Sequence, residues 1–369
     1  MQRRTTIKGR FGVLLLSIVA LALLAAPHAG AAPVLRPYDA AAQKAATWVL
    51  GQQQAGGGFP GFGVGSAADA IIGLKAAGLH ANPAAGGTGA VAFLATNAAT
   101  YAKSPGAAAK LLLAIAAAGT QADGHSFGGV DLWKVINDSY DPGSGHYGKD
   151  VTGQALAILA TTTWSQPVPP AALEWLRAAQ STEGGWSFDG STGPGSGDSN
   201  TTGLALQALA GANGLTPAVA GRAFAYLHAQ QNPDGGYAYQ QGPGNDSDAN
   251  STAMVIMGLA AAGEDPNGAA WQKQGKSPLA YLAGLQNASG ALRYQAAQPE
   301  DNPGATYQAI PALAGMILPG PRAAGAAGPG PGMPTTGLGT DGAVPLAAVC
   351  AALLLLAGLR IRAGVPRQQ

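Results

Sequence analysis

Two short segments place a carboxylate, an amide and hydroxyls where an apolar run begins. One is Asp198-Ser199-Asn200-Thr201-Thr202-Gly203 and the other Asp248-Ala249-Asn250-Ser251-Thr252-Ala253. Three chemistries fit this D-x-N-[ST]-T pattern. The carboxylate could move a proton as a general acid. Carboxylate and amide could together hold a ligand. The oxygens could also simply accept the free N–H groups at a helix start, the use for which these residue types are most favoured. An aromatic in a Gly-Gly turn precedes each segment, Trp186 and Tyr237. Asp198, Asn200, Asp248, Asn250, Trp186 and Tyr237 form the candidate ligand-binding set, and no residue is assigned a catalytic role.

Other constellations are weaker. His125 and His146 lie near Asp123, Asp138 and Asp141, but the spacing matches no defined metal-ligand pattern and reads as a solvated loop. Asp189 and Asp246 sit in Gly/Ser loops without EF-hand spacing. Gly275-Lys276-Ser277 has Gly268 two residues too far upstream for a phosphate loop. The single cysteine, Cys350, lies in the apolar tail, so the chain before it has neither disulfide nor thiolate chemistry. No metal or cofactor is expected.

The elements that must position these residues form a repeated unit. Each unit is an amphipathic helix, a Gly-aromatic turn, a polar loop and an Ala-rich helix. The pairs are Tyr38–Leu50 with Ser66–Ala77, Gly89–Tyr101 with Ser104–Ala118, and the helix around Asp131-Leu132-Trp133 with Asp150–Leu159. They continue with Leu173–Gln180 and Asp198–Asn213, Phe224–Gln231 and Asp248–Ala262, and Leu279–Gln286 and Pro303–Met316. One aromatic recurs in the first helix of each, at Trp48, Phe93, Trp133, Trp175, Tyr226 and Tyr281, with intervals of 40 to 55 residues. Such a period marks a repeat architecture whose units cannot bury their apolar faces alone. The second helices carry almost no charge, which predicts an inner ring of them inside an outer ring of first helices. Six hairpins could stack as an open solenoid or close into a barrel, and periodicity does not decide between the two.

The turn Trp175-Leu176…Gln180…Gly184-Gly185-Trp186 resembles the QW motif of the squalene–hopene cyclase and prenyltransferase superfamily. The resemblance recurs at Tyr226-Leu227…Gln230…Gly235-Gly236-Tyr237 and, degraded, at Tyr281-Leu282…Gln286…Gly290. It implies an all-α fold, an α/α toroid of six hairpins spanning residues 33–317, and so a closed ring. Class II cyclases of that superfamily protonate an alkene with the middle Asp of a D-x-D-D-T-A segment. Asp248-Ala249-Asn250-Ser251-Thr252-Ala253 aligns with it, but Asn250 and Ser251 replace the last two carboxylates. An amide has no acidic proton to give. The prenyltransferase and thioester branches of the superfamily need a cysteine that this region lacks.

The two ends carry targeting signals. Residues 1–32 read as a signal peptide, with Arg3, Arg4, Lys8 and Arg10, the apolar run Phe11–Ala26 and the cleavage site Ala29-Gly30-Ala31. Residues 318–333 read as a Pro/Gly-rich linker. Met333-Pro334-Thr335-Thr336-Gly337 resembles the LPxTG sorting signal of cell-wall-anchored bacterial proteins, with Met333 in place of Leu. In residues 334–369 the rest of that motif leads into an apolar, membrane-spanning stretch, Ala343–Leu359, and a tail with Arg360, Arg362 and Arg367. A sortase-type transpeptidase and the membrane are therefore expected partners. The net charge of +1 hides a split, because seven of the 20 basic residues lie in the two ends. The intervening chain is acidic, which excludes a nucleic-acid partner. These features predict an exported toroid, anchored at the surface of a bacterium. It would bind a small molecule (isoprenoid, corrinoid or glycan) or a surface protein without catalysis. The alternatives are an isoprenoid cyclase-like or prenyltransferase-like enzyme and a structural spacer.

Overall fold

The computed structural model describes residues 38–81, 88–120, 122–242 and 244–316. The expected signal peptide, linker, sorting motif and apolar stretch lie outside these residues. Among the described residues no helix is long and apolar enough to cross a membrane.

Helices alternate between two layers. The inner helices are α2 (Val64–Ala76), α4 (Pro105–Ala118), α6 (Val151–Thr163), α8 (Ser199–Gly211), α10 (Ala249–Ala261) and α12 (Pro303–Leu313). The outer ones are α1 (Asp39–Gly51), α3 (Ala90–Tyr101), α5 (Leu132–Asp138), α7 (Pro170–Ala178), α9 (Pro217–Gln230) and α11 (Pro278–Gly284). Each inner helix packs on the next, and α12 packs back on α2. The ring is closed, and the unit is an α/α toroid. Outer helices lie over the joints: α3 contacts α2 and α4, α7 contacts α6 and α8, and α1 bridges α12 and α2. One feature not read from the sequence is a two-stranded hairpin, β1 (Tyr140–Asp141) with β2 (His146–Tyr147), in the third turn.

Local chemistry explains where the helices start. Ser104, Asp150, Asp198, Asp248 and Asn302 each accept the third amide of the inner helix that follows. Proline opens α4, α9, α11 and α12, where its missing N–H has no helical acceptor to lose. Small residues let the inner helices approach. A Cβ on Gly203 of α8 would stand 2.3 Å from the Met254 carbonyl oxygen of α10, and one on Gly258 would meet the Gly203 Cα at 2.7 Å.

Among the described residues, the middle turns of the inner ring enclose side chains rather than a chamber. From Ala108 to Ile115 of α4 every residue is 0% exposed, although successive side chains point all round the helix. The same holds to within 1% for Ala253–Met257 of α10. A cavity able to admit water would expose its lining residues. The wall of these helices that faces the ring axis is packed shut.

Candidate functional site

The Gly-aromatic turns are pinned by one recurring glutamine. Gln180 Nε2 donates to Gly184 O at 2.8 Å and to Val219 O of α9 at 3.0 Å. Gln286 does the same to Gly290 O at 3.0 Å and Ala41 O of α1 at 2.8 Å, joining the last unit to the first. In the fifth unit the pinning residue is Gln231, which donates to Gly235 O and Trp271 O, and not the neighbouring Gln230. Gln231 stands five residues after Tyr226, the same spacing as Gln180 from Trp175 and Gln286 from Tyr281, so the count from the aromatic picks it out. Gln154, on α6, reaches Gly145 O and Ala172 O from a different place in the sequence and makes the same bridge.

The aromatic of each turn belongs to the core. Trp186 and Tyr237 are 0% exposed. Trp186 Nε1 donates to Leu176 O at 2.7 Å. Its backbone N–H donates to Thr202 Oγ1 at 2.9 Å, and that of Tyr237 to Thr252 Oγ1 at 3.0 Å. The two rings therefore pack the turn against the inner helix instead of facing a ligand at the surface. Gly185 is required beneath Tyr226, because a Cβ there would lie 2.7 Å from the phenol ring.

Asp198 and Asp248 are N-caps. Asp198 Oδ1 accepts the Thr201 amide at 2.7 Å and Oδ2 accepts the Tyr239 hydroxyl at 3.1 Å. Asp248 Oδ1 accepts the Ser251 amide at 2.7 Å and Oδ2 the Ser251 hydroxyl at 2.8 Å. Both are almost fully buried. Burial pushes each carboxyl up to about 6, against the opposing pull of these hydrogen bonds.

The two asparagines differ. Asn250 Nδ2 donates to Gln308 Oε1 at 2.6 Å across to α12. Asn200 is buried at 8% exposure, and neither atom of its amide has a partner. Gln308 is the sixth residue of α12, and the sixth residue of α10 is Met254, which offers no such acceptor. The network continues from Gln308 Nε2 to Asp69 Oδ2 at 3.4 Å, and Asp69 Oδ1 lies 2.7 Å from Lys110 Nζ. Sequence reading passed over this pair. A lone charge in the middle of each of two neighbouring, otherwise apolar inner helices was the signal, since a buried charge requires a partner.

The remaining candidates are local structure. His125 Nδ1 lies 3.3 Å from Asp131 Oδ2 on the surface, and His146 stacks on Trp175 with ring centres 4.2 Å apart. Among the described residues no three His, Cys, Asp or Glu side chains are grouped to hold a metal ion. Asp189 accepts the Ser187 hydroxyl and the Ser191 amide, and Ser277 caps α11. Two open surface depressions, about 430 and 280 Å³, lie at Thr162–Leu173 with Gly211–Asn213 and at Asn232–Asp234 with Asn245–Ser247. Neither includes a residue of the Asp198 or Asp248 caps.

Comparison with known proteins agrees with this architecture. The type II terpene cyclase MstE from Scytonema, in its apo form, is 14% identical with a TM-score of 0.53, covering 76% of this chain and 98% of that one. A variant of the same cyclase in complex with its product, merosterolic acid A, gives 14% and 0.54, with 77% and 98% covered. The GH76A α-1,6-mannanase of Salegentibacter sp. HEL1_6 is similar at 10% identity and a TM-score of 0.53, with 75% and 98% covered. At these identities the likeness concerns the fold alone. No curated protein matches the chain in sequence. The squalene-hopene cyclase C-terminal domain matches residues 16–245, and the chain belongs to that family.

Proposed function

We propose that this protein is a non-catalytic binding module displayed at the bacterial cell surface, meeting its partner with its outer faces rather than through a central chamber. The packed interior of the inner ring carries this reading. A cyclase must enclose an isoprenoid chain, and the middle turns of the inner helices leave no water-sized space beside them. The acid chemistry points the same way. Asp198 and Asp248 each spend one oxygen on a helix cap, and no second carboxylate figures among the groups that shift either one. Export by residues 1–32 and anchoring through Met333–Gly337 and the following apolar stretch would place the toroid outside the cell, where a surface protein or a wall glycan is within reach.

Terpene cyclase activity is the competing reading, and one observation favours it: two buried carboxyls lie near 6, close to where a general acid works. One set of measurements separates the two. The purified protein is incubated with squalene and prenyl diphosphates, and its thermal stability is followed with isoprenoids, corrinoids and cell-wall glycans. The proposal expects no product and no shift with isoprenoids, together with retention on isolated cell walls. A cyclised product that disappears in Asp248→Ala would overturn it.

A further inference from the structure

The ion pair between Asp69 and Lys110 is an unusual feature for a scaffold of Ala, Leu and Gly. Both residues occupy the sixth position of adjacent inner helices, α2 and α4. Their side chains are 0% and 1% exposed, and Nζ stands 2.7 Å from Oδ1. Enclosing two charges in an apolar interior costs more than their attraction returns unless many polar groups support them. The support on the carboxylate is thin. Gln308 Nε2 reaches Oδ2 at 3.4 Å. Burial outweighs the Lys110 charge and holds the Asp69 carboxyl above its ordinary range. The neutral forms of such a pair, a carboxylic acid and a primary amine, are the electrophile and nucleophile of amide formation.

We propose that Lys110 and Asp69 are joined in the mature protein by an intramolecular isopeptide bond. In this step the neutral Nζ attacks Cγ of the protonated Asp69 carboxyl, a C–N bond forms, and a C–O bond breaks. The leaving hydroxyl takes a proton that originates on the amine, so one water is released and nothing is oxidised or reduced. Gln308, fixed by its 2.6 Å bond from Asn250, donates toward the oxygen on which charge develops. Tyr101 of α3 is half-buried and senses both Lys110 and Asp69 electrostatically. In the proposed step its hydroxyl passes the proton, because of the two tyrosines that sense Asp69 it alone also senses Lys110. The reaction replaces two buried charges with one neutral amide, which removes the desolvation cost that the ion pair carries.

The test is peptide mass analysis of the full chain, purified folded and digested with trypsin after denaturation. The bond predicts one branched species, one water lighter than its parts, that contains Ala45–Lys75 joined to Ser104–Lys134. Cleavage after Lys110 is then blocked, because trypsin needs the free side chain. Asp69→Ala should restore cleavage at Lys110. Tyr101→Phe should leave the bond's position unchanged but lower the fraction of chains linked at a fixed time after synthesis. Full recovery of linear Ala45–Lys75 and Ser104–Lys110 from the wild-type protein would overturn the proposal. That measurement needs no variant to fold.

Discussion

At the scale of single residues, Asp198 and Asp248 set a pH dependence. Each carboxyl is pushed up to about 6 in the folded chain from an ordinary value of 3.8. Between those two values the folded state binds a proton that the unfolded state has released. Stability therefore falls as pH rises through this window and is lowest, for these groups, above it. Each contributes at most about 3 kcal/mol of such destabilisation at neutral pH. The melting temperature should rise when pH is lowered from 7 to 5, and the double variant Asp198→Asn, Asp248→Asn should flatten that rise. Asparagine caps helices as well as aspartate does, so at pH 7 the double variant should melt no lower than the wild type. A drop of many degrees in differential scanning calorimetry would show that the charges themselves hold the caps. The glutamine pins allow a second prediction. Gln180→Ala strands two buried carbonyl groups, Gly184 O and Val219 O, and should cost about 2–4 kcal/mol in urea unfolding. Gln230→Ala should cost little, because Gln231 makes the pin in that unit.

At the scale of the element, the distance between inner helices is set by glycine. Gly203→Ala would drive a methyl into the α10 backbone at Met254. Prising α8 from α10 should cost about 1–3 kcal/mol, readable as a lower melting temperature with the helical circular dichroism retained at 25 °C. Gly221→Ala, in the open on α9, should instead stabilise slightly through helix propensity. How much of this was legible in the sequence also divides by element. The helices were, because Asp198, Asp248 and the Gly-Gly turns punctuate them and their apolar spacing is regular. The β1–β2 hairpin was not, since two residues per strand give no alternation to read. Trp186 and Tyr237 could be placed in a turn but not judged inward or outward, because aromatic rings suit both a core and a binding face. Asp69 and Lys110 were missed for another reason. Their significance comes from facing each other across two helices that lie 41 residues apart in sequence, and a linear reading sees only two solitary charges.

At the scale of the whole molecule, closure makes the six units interdependent. Each inner helix buries one flank against each neighbour, and the joint between α12 and α2 is covered by α1. A chain ending before Leu279 would leave the flanks of α2 and α10 bare, and the missing unit would take Gln286 from Ala41. Such a truncation should elute as soluble aggregate on size-exclusion chromatography, where the intact ring elutes as a discrete species. Recovery of a stable monomer with native-like cooperativity would show that the units behave as an open stack.

The forward reach of the glutamines has a consequence for how the chain is made. Gln154 bonds to α7, Gln180 to α9, Gln231 to the turn at Trp271, and each of these acceptors lies later in the chain. During synthesis, the third, fourth and fifth units can therefore each be fastened as soon as the next one emerges. Of these four pins, Gln286 is the one whose acceptor in another unit lies earlier in the chain, at Ala41. The first helix must wait at an unfinished edge until nearly the whole domain has been delivered, so the final fastening doubles as a check that all six units have arrived.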